Sequence, residues 1–175
     1  MLNCKITKST SAICDTSVGG VLKMAVANWD PEYTFTASGT GCEIDTIDLD
    51  DANFMEVAFA DGTGYANANL SQGGNNDSKA VLHQVGGLLV HMDCDIVSDW
   101  KNWLLGRVIF AVLTKNGQVF LYGVDNGLSA TNFDYATGTA DTDAQGITFL
   151  YEGVQKNTPL LVKDWKTISD LFPNP

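Results

Sequence analysis

No run of apolar residues approaches the roughly 20 that a bilayer-crossing helix needs, so a membrane-spanning helix is not expected. The opening residues Met1-Leu2-Asn3-Cys4-Lys5 lack the apolar core of a secretory signal. Histidine is scarce, with only His83 and His91. On one regular strand these two would share a face about 26 Å apart, too far for one metal or one catalytic centre. Gly-x-Ser-x-Gly, His-Glu-x-x-His and the glycine-rich phosphate loop are all missing. The four cysteines, Cys4, Cys14, Cys42 and Cys94, form no Cys-x-x-Cys pair and match no zinc module. Without a secretion signal they read as reduced, mostly buried thiols, with a Cys4–Cys14 disulfide across an N-terminal hairpin as the alternative. No residue pattern activates a particular thiol, so the expectation is no catalytic residue, no metal and no cofactor.

Positive charge is also in short supply. Lysine and arginine number 10 against 21 acidic residues, a formal charge of −11. Ordinary nucleic-acid binding is excluded, because replacing counterions on a polyphosphate needs a basic stripe. A surface of this sign instead repels DNA, and a concave acidic wall would focus that repulsion.

Proline occurs four times and glycine 17 times, a balance that favours many tight turns between short strands. Apolar residues make up 45% and charged residues 18%, which places the chain in the globular regime. Its 175 residues fit one domain with a full core. The pattern predicts strands over Val21–Trp29, Thr34–Thr40, Glu43–Leu49 and Phe54–Ala60. In Glu43–Leu49 acidic and apolar residues alternate, the period of a strand with one wet face. Asp61–Ser78 is Gly/Asn-rich and reads as a long loop that docks onto something. Lys79–Val97 reads as one long strand or two, with a bend at Gly86-Gly87.

One helix follows, with Ser98 as N-cap, Asp99 in its first turn and Gly106 closing it. Trp100, Trp103 and Leu104 would form its apolar face. Val108–Thr114 is a continuous apolar run of strand length. Asn116-Gly117 then marks a hairpin into Val119–Val124. Asp125-Asn126-Gly127 makes another turn, Ile147–Val154 a late strand, and Thr167–Phe172 a short helical turn. The sum is a mainly β domain over 1–175, a sandwich or barrel with one packed helix. It carries an N-terminal arm (about 1–20), the long loop (about 61–78) and a C-terminal arm (about 155–175).

Two clusters invite a ligand reading. Asp141, Asp143, Gln145, Gly146 and Glu152 fall at positions one, three, five, six and twelve of a calcium loop. Gln at position five, Thr148 at position eight and strand-like flanks favour a polar β-turn instead. Asp45, Asp48, Asp50 and Asp51 read as a solvated strand face or as a strip facing a channel or a neighbouring subunit.

Several ordered motifs carry a resemblance. Near the start are Cys4-x-Ile6-Thr7 and Cys14-Asp15 followed by Gly19-Gly20-Val21. Later come Asn116-Gly117-Gln118, Leu121-Tyr122-Gly123, Asp125-Asn126-Gly127-Leu128 and Thr137-Gly138-Thr139-Ala140. Asp143, Gln145-Gly146 and Ile147-Thr148-Phe149-Leu150 complete the series. In this order they resemble tail structural proteins of phages infecting Bacteroidota, crAss-like phages included, most strongly from about Arg107 to Val162. The resemblance implies a tail-tube-like fold of two packed sheets and one helix, in a virion protein made in the host bacterial cytoplasm. It implies homo-oligomeric rings, hexameric or a multiple, that join other tail proteins and conduct DNA through the lumen without binding it. Glu43, Asp45 and Asp48 are then candidates for the lumen. A capsid decoration or host-binding β-sandwich module is the alternative expectation.

Overall fold

A computed structural model describes residues 18–37, 43–72, 79–90, 94–138 and 145–173. Eleven strands occur in the order β1 (Val21–Asn28), β2 (Thr34–Ala37), β3 (Glu43–Asp48), β4 (Met55–Val57), β5 (Tyr65–Gln72) and β6 (Lys79–Leu89), then β7 (Arg107–Thr114), β8 (Val119–Tyr122), β9 (Leu128–Ala136), β10 (Gly146–Gln155) and β11 (Leu160–Val162). Helix α1 (Cys94–Leu105) precedes β7, and the single-turn α2 (Lys166–Ser169) follows β11. The protein is mainly β, with one open mixed sheet whose path runs β2-β3-β11-β8-β7-β9-β10-β6-β5. Only β3 and β11 pair in parallel; every other ladder among the described residues is antiparallel.

β7 is the branch point. One of its edges pairs with β1 along Val108–Thr114. The other is shared: β8 takes Phe110–Leu113, and β9 takes Arg107 and Val108 before leaving to pair with β10. Its apolar run is explained by burial on both faces. Val108, Phe110 and Val112 face a core with Met24, Val26, Val85, Phe149 and Tyr151. Ile109 and Ala111 face a second core with Ile44, Leu49, Phe54, Val162 and Ile168. β1 alternates likewise, Met24 and Val26 to one side and Ala25 and Ala27 to the other. A continuous apolar strand is what two-sided burial selects.

Several expectations are corrected. The long loop expected over 61–78 is, through residue 72, largely strand, since β5 pairs with β6 from Tyr65↔Gly86 to Gln72↔Lys79. Gly86-Gly87 does not break β6, whose ladder with β10 runs without a register shift. The glycines allow close approach instead: a Cβ on Gly86 would lie 2.7 Å from the Tyr65 ring, and one on Gly87 3.2 Å from Phe149. α1 begins at Cys94, so Ser98 lies within the helix rather than capping it. On that helix Ile96 and Trp103 pack against the first core, whereas Leu104 is 39% exposed. The expected C-terminal arm is folded, through residue 173, onto the chain's own second core. Val162 and Ile168 are buried there, and Phe54 donates its N–H to the Leu171 carbonyl at 3.0 Å. β9, for which no strand was expected, closes the gap between β7 and β10.

Candidate functional site

Three groups of residues are available to do something: a buried polar cluster at the branch point, the acidic residues around β3, and the free edge of β5.

The cluster gathers where β8 turns into β9. Gly123 and Gly127 have φ of 85° and 69°, and the Gly127 N–H bonds the Gly123 carbonyl at 2.8 Å. Glycine is required at the second position, because a Cβ there would meet Arg107 and Trp29 at 2.9 and 3.0 Å. Gln155, at the end of β10 and buried, binds this turn from beneath. Its Oε1 accepts from the Asp125 and Asn126 N–H groups at 3.0 and 2.9 Å, and its Nε2 donates to the Gly127 carbonyl at 2.9 Å. Asp125 returns the contact, its Oδ2 accepting from the Lys156 and Asn157 N–H groups at 3.0 Å each.

His83 closes the cluster from β6. Its Nδ1 accepts from the Gly123 N–H at 3.2 Å, and its Nε2 lies 3.1 Å from the Asn157 carbonyl. Because a carbonyl only accepts, Nε2 carries the proton and the ring is neutral. Burial is the main cause pushing its pKa below the ordinary value; the Asn157 carbonyl and Asp125 pull the other way. Tyr122 packs edge-on to the ring at 5.4 Å. Both ring nitrogens are thus used on backbone groups, and the cluster's chemistry is that of a fastener. His91, the second histidine, lies outside the described residues.

The acidic residues divide. β3 was expected to alternate, but Ile44 and Ile47 are both buried because a register shift opposite Thr36 and Ala37 inserts one extra residue. Glu43 and Asp48 are exposed, while Asp45 pairs with Lys163 at 3.4 Å. Asp30 and Asp50 draw together around Tyr33, whose hydroxyl pKa is raised by burial first and then by both carboxylates. In the calcium-loop pattern, Asp141 and Asp143 lie outside the described residues. Gly146 through Glu152 belong to an extended strand, and Glu152 accepts a hydrogen bond from Gln84, so that half of the pattern is sheet and not loop. Cys94 is a free thiol and exposed, contrary to the expected burial. Cys4, Cys14 and Cys42, with the possible Cys4–Cys14 bridge, lie outside the described residues, as does the expected arm through residue 17. No group of three or more metal-ligating side chains is found among the described residues.

β5 forms one end of the sheet path and, among the described residues, pairs on one side only, with β6. Its eight residues, Tyr-Ala-Asn-Ala-Asn-Leu-Ser-Gln, include no charge and no proline, the usual means of blunting a sheet edge. Leu70 is 68% exposed and Tyr65 42%. The eight-residue ladder with β6 has no bulge to twist the edge away. Such an edge is a template for another strand. Sequence reasoning missed it, although Ala66, Ala68 and Leu70 alternate with Asn67, Asn69 and Ser71 in a period of two.

Compared with known proteins, the chain matches no family model, no curated protein and no solved structure. The class that fold and site define is a mainly β protein that, among the described residues, leaves an uncharged sheet edge open.

Proposed function

We propose that the chain is a virion structural protein with a tail-tube-like fold, forming rings of a phage tail tube or of a tail or neck assembly that conducts DNA. The observation that carries this reading is the β5 edge. It is eight residues long and uncharged, with Tyr65 and Asn67 through Leu70 exposed, on a chain of formal charge −11. An edge left without charge on a protein of formal charge −11 suits one covered by assembly. The acidic balance also suits a wall past which DNA slides without sticking. Exposed Glu43 and Asp48 are the candidates for that wall; Asp45, neutralised by Lys163, contributes less. The resemblance of the ordered motifs from about Arg107 to Val162 points the same way. The reading requires no catalytic group and no cofactor.

Electron microscopy of the purified chain, and of particles containing it, tests the proposal at near-neutral pH. Rings or stacked tubes with a pore of duplex width are expected. The double variant Asn67→Lys/Asn69→Lys should stay folded and lose those rings, because lysines on an edge strand oppose pairing. A dispersed monomer found on the outer shell of particles would overturn the ring reading in favour of a decoration or host-binding module.

A further inference from the structure

Among the described residues, a second open stretch of strand edge lies on β1. β4 begins at Met55, opposite Val26, whereas β1 continues to Asn28. Trp29 donates its N–H to the Arg107 carbonyl at 2.8 Å, toward β7. By the alternation of antiparallel pairs, Asn28 therefore turns its own N–H and C=O to the other side, beyond the start of β4. Next to it opens a cleft of about 520 Å³ between β1, β4 and the end of α1, lined by Val26, Met55, Trp103 and Leu105 with Asp99 and Asn102. Its volume lies within the roughly 300–1,000 Å³ of ligand-holding pockets. Met55 and Leu105 are 50% and 73% exposed.

Two sources of negative charge meet at this cleft. Asp99 is half-buried and accepts only from the neighbouring Asn102 side chain among the described contacts. The last turn of α1 holds no basic residue; its Asn102 and Trp103 carbonyls accept from the Gly106 N–H and the Tyr151 hydroxyl, which are neutral, so the helix end keeps a partial negative charge that no cation of the helix meets. The next cation, Arg107, is engaged elsewhere, 5.7 Å over the Trp29 ring and bonded to the Asn126 carbonyl at 3.2 Å. Lys101 is exposed on α1 and does not line the cleft.

We infer that this cleft binds an extended segment of a partner protein in which a large apolar side chain adjoins lysine or arginine. The segment continues the line of β4 along β1, and its backbone meets the open N–H and C=O of Asn28. Its apolar side chain enters among Val26, Met55, Trp103 and Leu105, while its cation faces Asp99 and the carbonyl end of α1. Open strand edge, apolar pocket and negative rim select backbone, side chain and charge of the same ligand. The inference is independent of ring formation, since it uses neither β5 nor the acidic residues of β3.

The test titrates the full-length chain with acetylated, amidated hexapeptides that hold one Leu, Ile or Met between two lysines, followed by calorimetry and tryptophan fluorescence. At least one peptide should bind saturably, and its glutamate counterpart about tenfold or more weaker. Asp99→Lys should reverse that preference, and Met55→Lys should abolish binding, with thermal unfolding showing both variants folded. Should neither variant fold, paramagnetic-probe NMR on the unaltered chain decides the question: a spin-labelled lysine peptide must broaden Asn28 and Leu105 before other residues. No saturable binding by any peptide, equal binding of the lysine and glutamate forms, or broadening elsewhere would overturn the proposal. The chain's own Lys5-Ile6-Thr7-Lys8 has the same chemistry. If only the Lys5→Glu/Lys8→Glu variant bound the peptides, the occupant would be that segment, and the partner-protein assignment would fall.

Discussion

His83 sits between two backbone groups that only the neutral ring can satisfy together, the Gly123 N–H at Nδ1 and the Asn157 carbonyl at Nε2. Its folded-state pKa is lowered from 6.5, chiefly by burial, so on acidification the unfolded chain takes up this proton first. Stability from His83 is therefore complete above about pH 6.5 and declines as the pH falls below it toward the lower folded-state pKa. The melting temperature should fall from pH 7.5 to pH 5.5, and His83→Gln should flatten much of that slope. At pH 7.5 the same variant should cost about 1–3 kcal/mol, since a glutamine cannot meet both backbone groups with the imidazole's geometry. None of this could be read from the chain, where His83 is one polar residue in an apolar strand. Gln155 and Asp125 were equally silent, because their partners are set by a crossing of β6, β8 and β10 that no local pattern encodes. The turn they secure was legible, as Asp125-Asn126-Gly127 announces it.

Among the elements, those with an undisturbed period were readable. β7 was evident as an apolar run, its hairpin to β8 as Asn116-Gly117, and β10 as the run from Ile147. β9 escaped because the ladder to β10 shifts between Leu150 and Tyr151, so that Thr131 is the extra residue and the parity of the strand changes. Leu128 and Ala130 fall on one count, Phe133 on the other. α1 ran four residues further back than its apparent cap because Ile96 already packs on the core. It is also tied down at its far end, where the buried Tyr151 hydroxyl donates to the Trp103 carbonyl at 2.6 Å. Burial pushes that hydroxyl's pKa well up, so it remains a donor throughout the physiological range. Tyr151→Phe should cost about 1–2 kcal/mol in denaturant titrations. Amide exchange should also quicken in the last turn of α1 more than in β10.

For the molecule as a whole, charge sets the terms of association. Each copy brings a formal charge of −11, so copies meeting at low ionic strength repel one another. The Debye length shortens from about 30 Å at 0.01 M salt to about 3 Å at 1 M. Sedimentation should therefore show oligomers growing as salt is raised, if β5 pairing drives assembly. Dissociation with rising salt would mean that ion pairs hold the copies together and would count against the β5 edge. The mainly β class was plain from composition and turn chemistry, whereas the branching at β7 was not, because it depends on two strands sharing one edge.

One of the two shortest ladders has the longest reach in time. β11 inserts three residues between β8 and β3, placing Leu161 beside Glu43 and Val162 beside Ile44. The register of the third strand is thus fixed by residues synthesised long after it. Until β11 has been made, β2 and β3 have no seat in the sheet, and the second core lacks Val162 and Ile168. Folding is in this sense sealed from β11 onward: a polypeptide interrupted before Leu160 would leave its early strands unmoored, a state that proteolysis can distinguish from the folded chain.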